Sequence, residues 1–312
     1  MANCSSEEGP WATLISEALA EVFVRLPFEE RLRTVPLVCK GWRRASFDPA
    51  CWRNVDMEPW FKAKSEVDYG WEWECQEEME YLVRLVVDRS HGQLRQLRTM
   101  LCTNDSVEYI AERCPLLTEL SIADSFDVVD DAAIKLALSC PRLERLDLSD
   151  CYKVTGKALE MFGIHCPSLV SFSRNMLRSH EFTDVVLPMG DEEALVIATR
   201  MQKLEHLELK KSFSLTDFGL MHIATRCKKL ESLNLACCSG VSPSALEKVT
   251  AVCPNLKIES GTQACTPSAE KGSAEGRSQV QAQSPTDPKA REREVVVAIA
   301  LTQTLGGDED DC

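Results

Sequence analysis

The feature that most constrains this chain is that it repeats itself. Cys140-Pro-Arg-Leu-Glu-Arg-Leu-Asp-Leu148 lies over Cys114-Pro-Leu-Leu-Thr-Glu-Leu-Ser-Ile122 without a gap, and over Cys227-Lys-Lys-Leu-Glu-Ser-Leu-Asn-Leu235 as well. The leading leucine of each unit falls at Leu94, Leu117, Leu143, Leu169, Leu204, Leu230 and Leu256, in steps of 23, 26, 26, 35, 26 and 26 residues. One apolar template returning at a fixed step means stacked supersecondary units rather than a folded-back globule.

The residues of one unit say what it is. Leu146 and Leu148 stand at period two and share one face of a short strand, which turns Arg145, Asp147 and Ser149 to solvent. Cys151 and Val154-Thr155 follow, then Ala158, Leu159 and Phe162 at helical spacing, and Cys166 opens the next unit. The order recurs from Leu207 to Cys227 and from Leu233 to Cys253. Each unit is therefore strand, turn, helix. Alone it cannot bury its apolar face, but stacked neighbours can, at about 1.5–3 kcal/mol per fully buried Leu, Val, Ile or Phe. The strands stack in parallel on the concave side of a curved rod and the helices on the convex side. The template C-P-x-L-x-x-L-x-L … C-x-x-[VIL]-[TS] resembles the cysteine-containing leucine-rich repeats of F-box proteins and covers about half the chain.

Composition narrows the function. The net charge of -14 and pI near 5.0 repel a phosphate backbone, so no nucleic-acid partner is expected. The start is polar, Ala2 rules out myristoylation and the longest apolar run of the tail, Val295–Leu301, is too short for a bilayer, so no membrane role is expected and the chain is placed in the cytoplasm, the nucleus or both. The 15 cysteines include no C-x-x-C pair, and the five histidines lack ligand spacing, so no metal and no cofactor is expected. Cys114, Cys140, Cys166, Cys227 and Cys253 sit at the repeat period and read as free structural thiols in a reducing compartment.

Residues 1–9 read as disordered. From Ser16, a plausible N-cap, Leu19, Val22, Phe23 and Leu26 mark one helix face that Pro27 ends. Glu29–Thr34 reads as a short second helix with Leu32 inward. Pro36 suits the first turn of a third, striped by Val35, Val38, Cys39 and Trp42 and stopped by Asp48-Pro49. Three short helices bury little surface by themselves. Residues 10–57 resemble an F-box at Leu14-Ile15, Leu19, Phe23, Leu26-Pro27, Val38-Cys39-Lys40 and Trp42-Arg43, departing from the pattern at Ile15, where many F-boxes carry proline. The resemblance implies an α/β protein made of a three-helix F-box, a leucine-rich-repeat solenoid over 91–259 and a disordered tail over 260–312. It implies a Skp-type adaptor bound through Leu14, Ile15, Leu19, Phe23, Leu26, Pro27, Val38, Cys39 and Trp42, and through it a cullin ubiquitin ligase. For Phe23, Leu32 and Trp42, burial among the helices and contact with the adaptor stand equally open; for Leu14, Ile15 and Pro27 the interface is favoured.

Between hook and rod, 58–90 reads as an aromatic linker, in which Trp60, Trp71 and Trp73 pin one to the other, followed by an amphipathic capping helix marked by Cys75, Met79, Leu82, Val83 and Val86. The 35-residue step places an insertion within 173–190. Trp11–Pro49, Val87-Asp-Arg-Ser90, Arg174-Asn175 and Gly190-Asp-Glu-Glu-Ala194 together are similar to plant F-box/leucine-rich-repeat proteins of the Skp-interacting-partner type. Candidate target contacts are the outward strand positions Glu119, Ser121, Arg145, Asp147, His206, Glu208, Lys210, Ser232 and Asn234; their mixed signs fit a protein target. No phosphate-binding loop, zinc helix or nucleophile elbow occurs, and Asp130-Asp131 reads as adjacent surface charge, so no catalysis is expected. Two functions remain: substrate receptor of an SCF-type ligase, marking its target for ubiquitination and proteasomal degradation, or an interaction scaffold outside any ligase.

Overall fold

A computed structural model describes residues 14–65, 72–177 and 190–261. Residues 1–13, the tail from 262 and most of the insertion lie outside the described residues, as do Trp71 and the side chain of Trp73.

Eight strands form one parallel sheet in sequence order: β1 (Asn54–Asp56), β2 (Gln96–Met100), β3 (Glu119–Ala123), β4 (Arg145–Asp147), β5 (Ser171–Ser173), β6 (His206–Glu208), β7 (Ser232–Asn234) and β8 (Lys257–Glu259). Helices α5 (Glu72–Ser90), α6 (Asn104–Arg113), α7 (Asp130–Ser139), α8 (Gly156–His165), α9 (Asp191–Arg200), α10 (Asp217–Arg226) and α11 (Pro243–Val252) alternate with the strands from β2 on. Helices pack about 8–10 Å apart and strands about 4.8 Å, so stacking one of each per unit curves the solenoid with its strands inside. The leading leucines from Leu94 to Leu256 are all buried; through Leu230 each is followed three residues on by a buried strand residue, while after Leu256 the half-buried Ile258 comes two residues on.

The sheet begins earlier than the leucine spacing shows. Val55 pairs in register with Leu97, and Trp52, Val55 and Met57 fill the positions of the template leucines, all buried. A tryptophan and a methionine in place of leucines concealed this unit. The first strand of the solenoid thus follows directly on the last turn of the N-terminal helices, α1 (Ser16–Phe23), a π-helical turn (Glu30–Thr34), α2 (Val35–Val38), α3 (Lys40–Ser46) and a 3-10 turn (Pro49–Trp52). Helix α1 has Ile15, not Ser16, at its N-cap, with no side-chain capping bond.

The junction is welded by cations over aromatic rings. Buried Arg31 donates from Nη1 to the carbonyls of Cys51 (2.6 Å) and Asn54 (2.9 Å). The Arg89 guanidinium of α5 stands 4.7 Å from the Phe47 ring centre and 4.9 Å from that of Trp52, and burial pushes its pKa down to about 10. Trp60, on α4 (Glu58–Ser65), meets Phe28 edge-on at 6.2 Å between ring centres.

Helix ends show why the template carries its small polar residues. Asp130 accepts from the N–H and hydroxyl of Thr155, both at 2.7 Å; Asp191 holds Thr216 and Asp217 holds Ser242 in the same way. Asp130 is therefore not idle surface charge: each carboxylate ties the first turn of its helix to the cap of the next unit. At the other end Cys140 and Cys166 donate their thiols to the carbonyls of Cys114 and Cys140, each at 3.5 Å. Burial pushes the Cys114, Cys140 and Cys166 thiols up to about 12, so they pack as inert hydrophobes. The five repeat-period cysteines are free thiols; Cys237, in the turn after β7 and off that period, is instead disulfide-bonded.

Candidate functional site

Two surfaces stand out. The first is on the N-terminal helices. Leu19 and Phe23 are buried, Phe23 against the half-buried Trp42 with ring centres 5.0 Å apart. Leu26 and Cys39 are half-buried, and the Cys39 thiol sulfur accepts from the Trp42 N–H at 3.5 Å. Leu14, Ile15, Pro27 and Val38 are exposed, Ile15 at 68%. Leu37, at 81% exposure, and Val22 join them. Sequence reasoning missed Leu37, although four successive apolar residues, Val35-Pro-Leu-Val38, cannot all face inward on a helix. The chain turns at Cys39 (φ -161°, ψ 170°), so the stripe expected from Val35 to Trp42 is broken between α2 and α3, and Val38 is exposed while Trp42 is half-buried. Ile15 and Val22, seven residues apart, share one side of α1 next to its buried stripe.

The second surface is the open face of the sheet. Strand register sorts its outward side chains into two rows. One runs Asn54, Gln96, Glu119, Arg145, Ser171, His206, Ser232, Lys257. The other runs Asp56, Arg98, Ser121, Asp147, Ser173, Glu208, Asn234, Glu259. Eight of the nine strand-side candidates from the sequence fall in these rows, Ser121 among them buried, and the ninth, Lys210, lies just past β6. The sequence-derived candidates omit the outward residues of β1, β2, β5 and β8. Every outward side chain in both rows is polar.

Toward β1 the charges satisfy one another. Arg98 pairs with Glu58 (2.9 Å) and Asp56 (3.8 Å), and Arg145 with Glu119 (3.2 Å). Farther along, neutral donors hold the acids, joined at Glu208 by Lys210. Asp147 accepts from Ser121 Oγ (3.2 Å), Ser149 N–H (2.9 Å) and Ser149 Oγ (2.6 Å); burial raises its pKa against the pull of those bonds. Glu208 accepts from Asn175 Nδ2 (3.0 Å) and pairs with Lys210 (3.0 Å); Glu259 accepts from Asn234 Nδ2. His206 Nδ1 and Ser232 Oγ are 2.8 Å apart. Among the described residues no cluster of His, Cys, Asp and Glu could hold a metal ion, and no helix is long and apolar enough to cross a membrane.

The F-box-like family profile matches residues 16–58, the helical hook and β1. The chain is 35% identical over 211 residues to F-box protein SKIP1 of Arabidopsis thaliana, covering 65% of this chain and 70% of that protein. The chain belongs to the F-box/LRR-repeat proteins. As a member it is a non-catalytic adaptor rather than an enzyme. It is also 34% identical to F-box protein FBW2 over 64% of this chain, but spans only 59% of that relative. With Putative F-box/LRR-repeat protein 19 it shares 38% identity over 38% of this chain and 40% of the relative. Both relatives are from Arabidopsis thaliana. Within the family frame the two surfaces divide naturally: exposed apolar residues on the F-box, a polar sheet face on the repeats.

Proposed function

We propose that this chain is the substrate-recognition subunit of an SCF-type ubiquitin ligase. Its F-box binds a Skp-type adaptor, and through it a cullin, while its repeats hold a protein target for ubiquitination and proteasomal degradation. The cytoplasm, the nucleus or both would be its place of work. The observation that carries the reading is the exposure of Ile15 and Leu37 on a helical unit whose other large apolar residues are mostly spent on its own core. Leu14, Val38 and Pro27 complete the surface, with Leu26 at its edge. Leu19, Phe23, Trp42 and Cys39 act from beneath, holding that surface in shape. The junction supports the second half of the reading. Ubiquitin transfer needs a target lysine kept near the transfer centre, a proximity effect that a joint pinned by Arg31, Trp52 and Arg89 preserves and a loose one forfeits.

The test is capture of a purified Skp-type adaptor by the full chain. Burying Ile15 or Leu37 in an interface contributes about 1.5–3 kcal/mol each. The Ile15→Asp and Leu37→Asp variants therefore each lose more than tenfold in affinity, with far-UV circular dichroism unchanged. Wild-type chain that captures no adaptor leaves a repeat scaffold outside any ligase; capture that survives both substitutions moves the interface elsewhere.

A further inference from the structure

The half of the sheet farthest from the F-box carries a charge pattern finer than mixed polarity. On β4, β6 and β8 the first row presents Arg145, His206 and Lys257, and the second presents Asp147, Glu208 and Glu259. The strands between them, β5 and β7, present Ser171 with Ser173 and Ser232 with Asn234. The result is two lanes, one of two cations and a histidine, one acidic, with small neutral residues as spacers; each lane has one member with an ion-pair partner outside it, Arg145 with Glu119 and Glu208 with Lys210. Lanes lie two residues apart along each strand, about 7 Å, and charges within a lane recur every second strand, about 9.5 Å. The acids are oriented by Ser121, Asn175 and Asn234 from neighbouring units, and Asp147 is half-buried with only neutral hydrogen-bond donors around its carboxylate.

The spacing selects a ligand geometry. A ligand crossing the strands as an extended β-strand brings every second residue to one face, about 7 Å apart, out of step with the lanes. A polyproline II segment brings every third residue to one face, about 9 Å apart, in step with them. Its three faces then meet the cationic lane, the acidic lane and solvent. We infer that the β4–β8 face binds a polyproline II segment of a protein partner with a three-residue charge period, one position basic against Asp147, Glu208 and Glu259, its neighbour acidic against Arg145, His206 and Lys257. From Asp147 to Glu259 is four strand spacings, about 19 Å, which about seven such residues span. This refines the target-binding half of the proposed function and rests on it for its biological meaning.

Fluorescence anisotropy on the full chain tests it, with labelled nine-residue peptides of three Lys-Glu-Pro or three Glu-Lys-Pro repeats, since the direction of the segment is open. The comparison is a scrambled peptide of the same composition. At least one patterned peptide binds tenfold or more tighter than the scrambled one. The Glu208→Gln/Glu259→Gln variant loses that advantage, and Lys257→Gln, at the exposed end of the cationic lane, weakens binding about threefold. Equal affinity for patterned and scrambled peptides, binding by none of them, or binding indifferent to the acidic-lane variant overturns the inference. Adaptor capture measured on the same preparation separates the two claims. Capture without patterned binding sinks the lane geometry alone; patterned binding without capture sinks the ligase reading and leaves the lanes standing.

Discussion

Arg174 offers the sharpest test of how the solenoid tolerates its interruption. It occupies the third leucine position of the fifth unit, in line with Leu148 and Leu209, and is wholly buried. Its guanidinium donates to the carbonyls of Leu148 (2.9 Å), Cys151 (2.8 Å) and Val154 (2.6 Å), the turn of the preceding unit, while Nε finds no partner. Burial lowers its pKa, with no carboxylate in hydrogen-bond contact to offset the desolvation. Two of the three carbonyls keep a main-chain donor, Leu148 from Cys151 N–H and Cys151 from Val154 N–H. Replacing Arg174 by Met keeps most of the volume and strands the carbonyl of Val154, at about 1–3 kcal/mol. Recovered desolvation of the cation lowers that cost. Arg174→Ala adds a cavity and brings the loss to about 3–5 kcal/mol. Urea unfolding by linear extrapolation, followed by circular dichroism with the slope held constant, gives the order wild type, Met, Ala from most to least stable. An Arg174→Met chain as stable as wild type refutes the reasoning, because the bonds to the turn would then do no more than repay the burial of the charge.

Two further outcomes are expected. The bonds from Ser242 hold Asp217 below its usual carboxylate value; a depressed folded pKa gives stability that is present above the unfolded value, about 3.9, and drains away as pH falls through the folded one. Asp217→Asn should flatten that acid limb in a pH series of unfolding midpoints, and an unchanged limb would assign it to other carboxylates. A methyl at Gly219 would sit 2.4 Å from Asp191 Oδ1, 2.8 Å from Leu215 Cδ1 and 2.9 Å from Ala194 Cβ. Gly219→Ala therefore costs about 1–3 kcal/mol through overpacking, read as a lowered thermal midpoint; an unchanged midpoint means the α9–α10 contact yields freely.

The sequence by itself determined the repeating unit. A leucine template at a constant step states its own period, and period two giving way to helical spacing states strand then helix, because both are local consequences of where side chains point. It determined the insertion from one long step, and the residue types of the hook. Only the tertiary structure decided which apolar side chains of the hook are spent inside it. Leu19, Val22 and Phe23 look alike in a helical stripe, and burial separates them because α3 covers one side of α1 and leaves the other bare. Only the structure showed that Trp52, Val55 and Met57 begin the sheet, since their kinship with leucine lies in shared register rather than residue type. It also decided the partners of Asp130, Asp191 and Asp217 and the task of Arg174, which reach into units about 20–28 residues away. A chain writes its local periods in order along itself, but which distant groups satisfy one another is fixed only when the units stack.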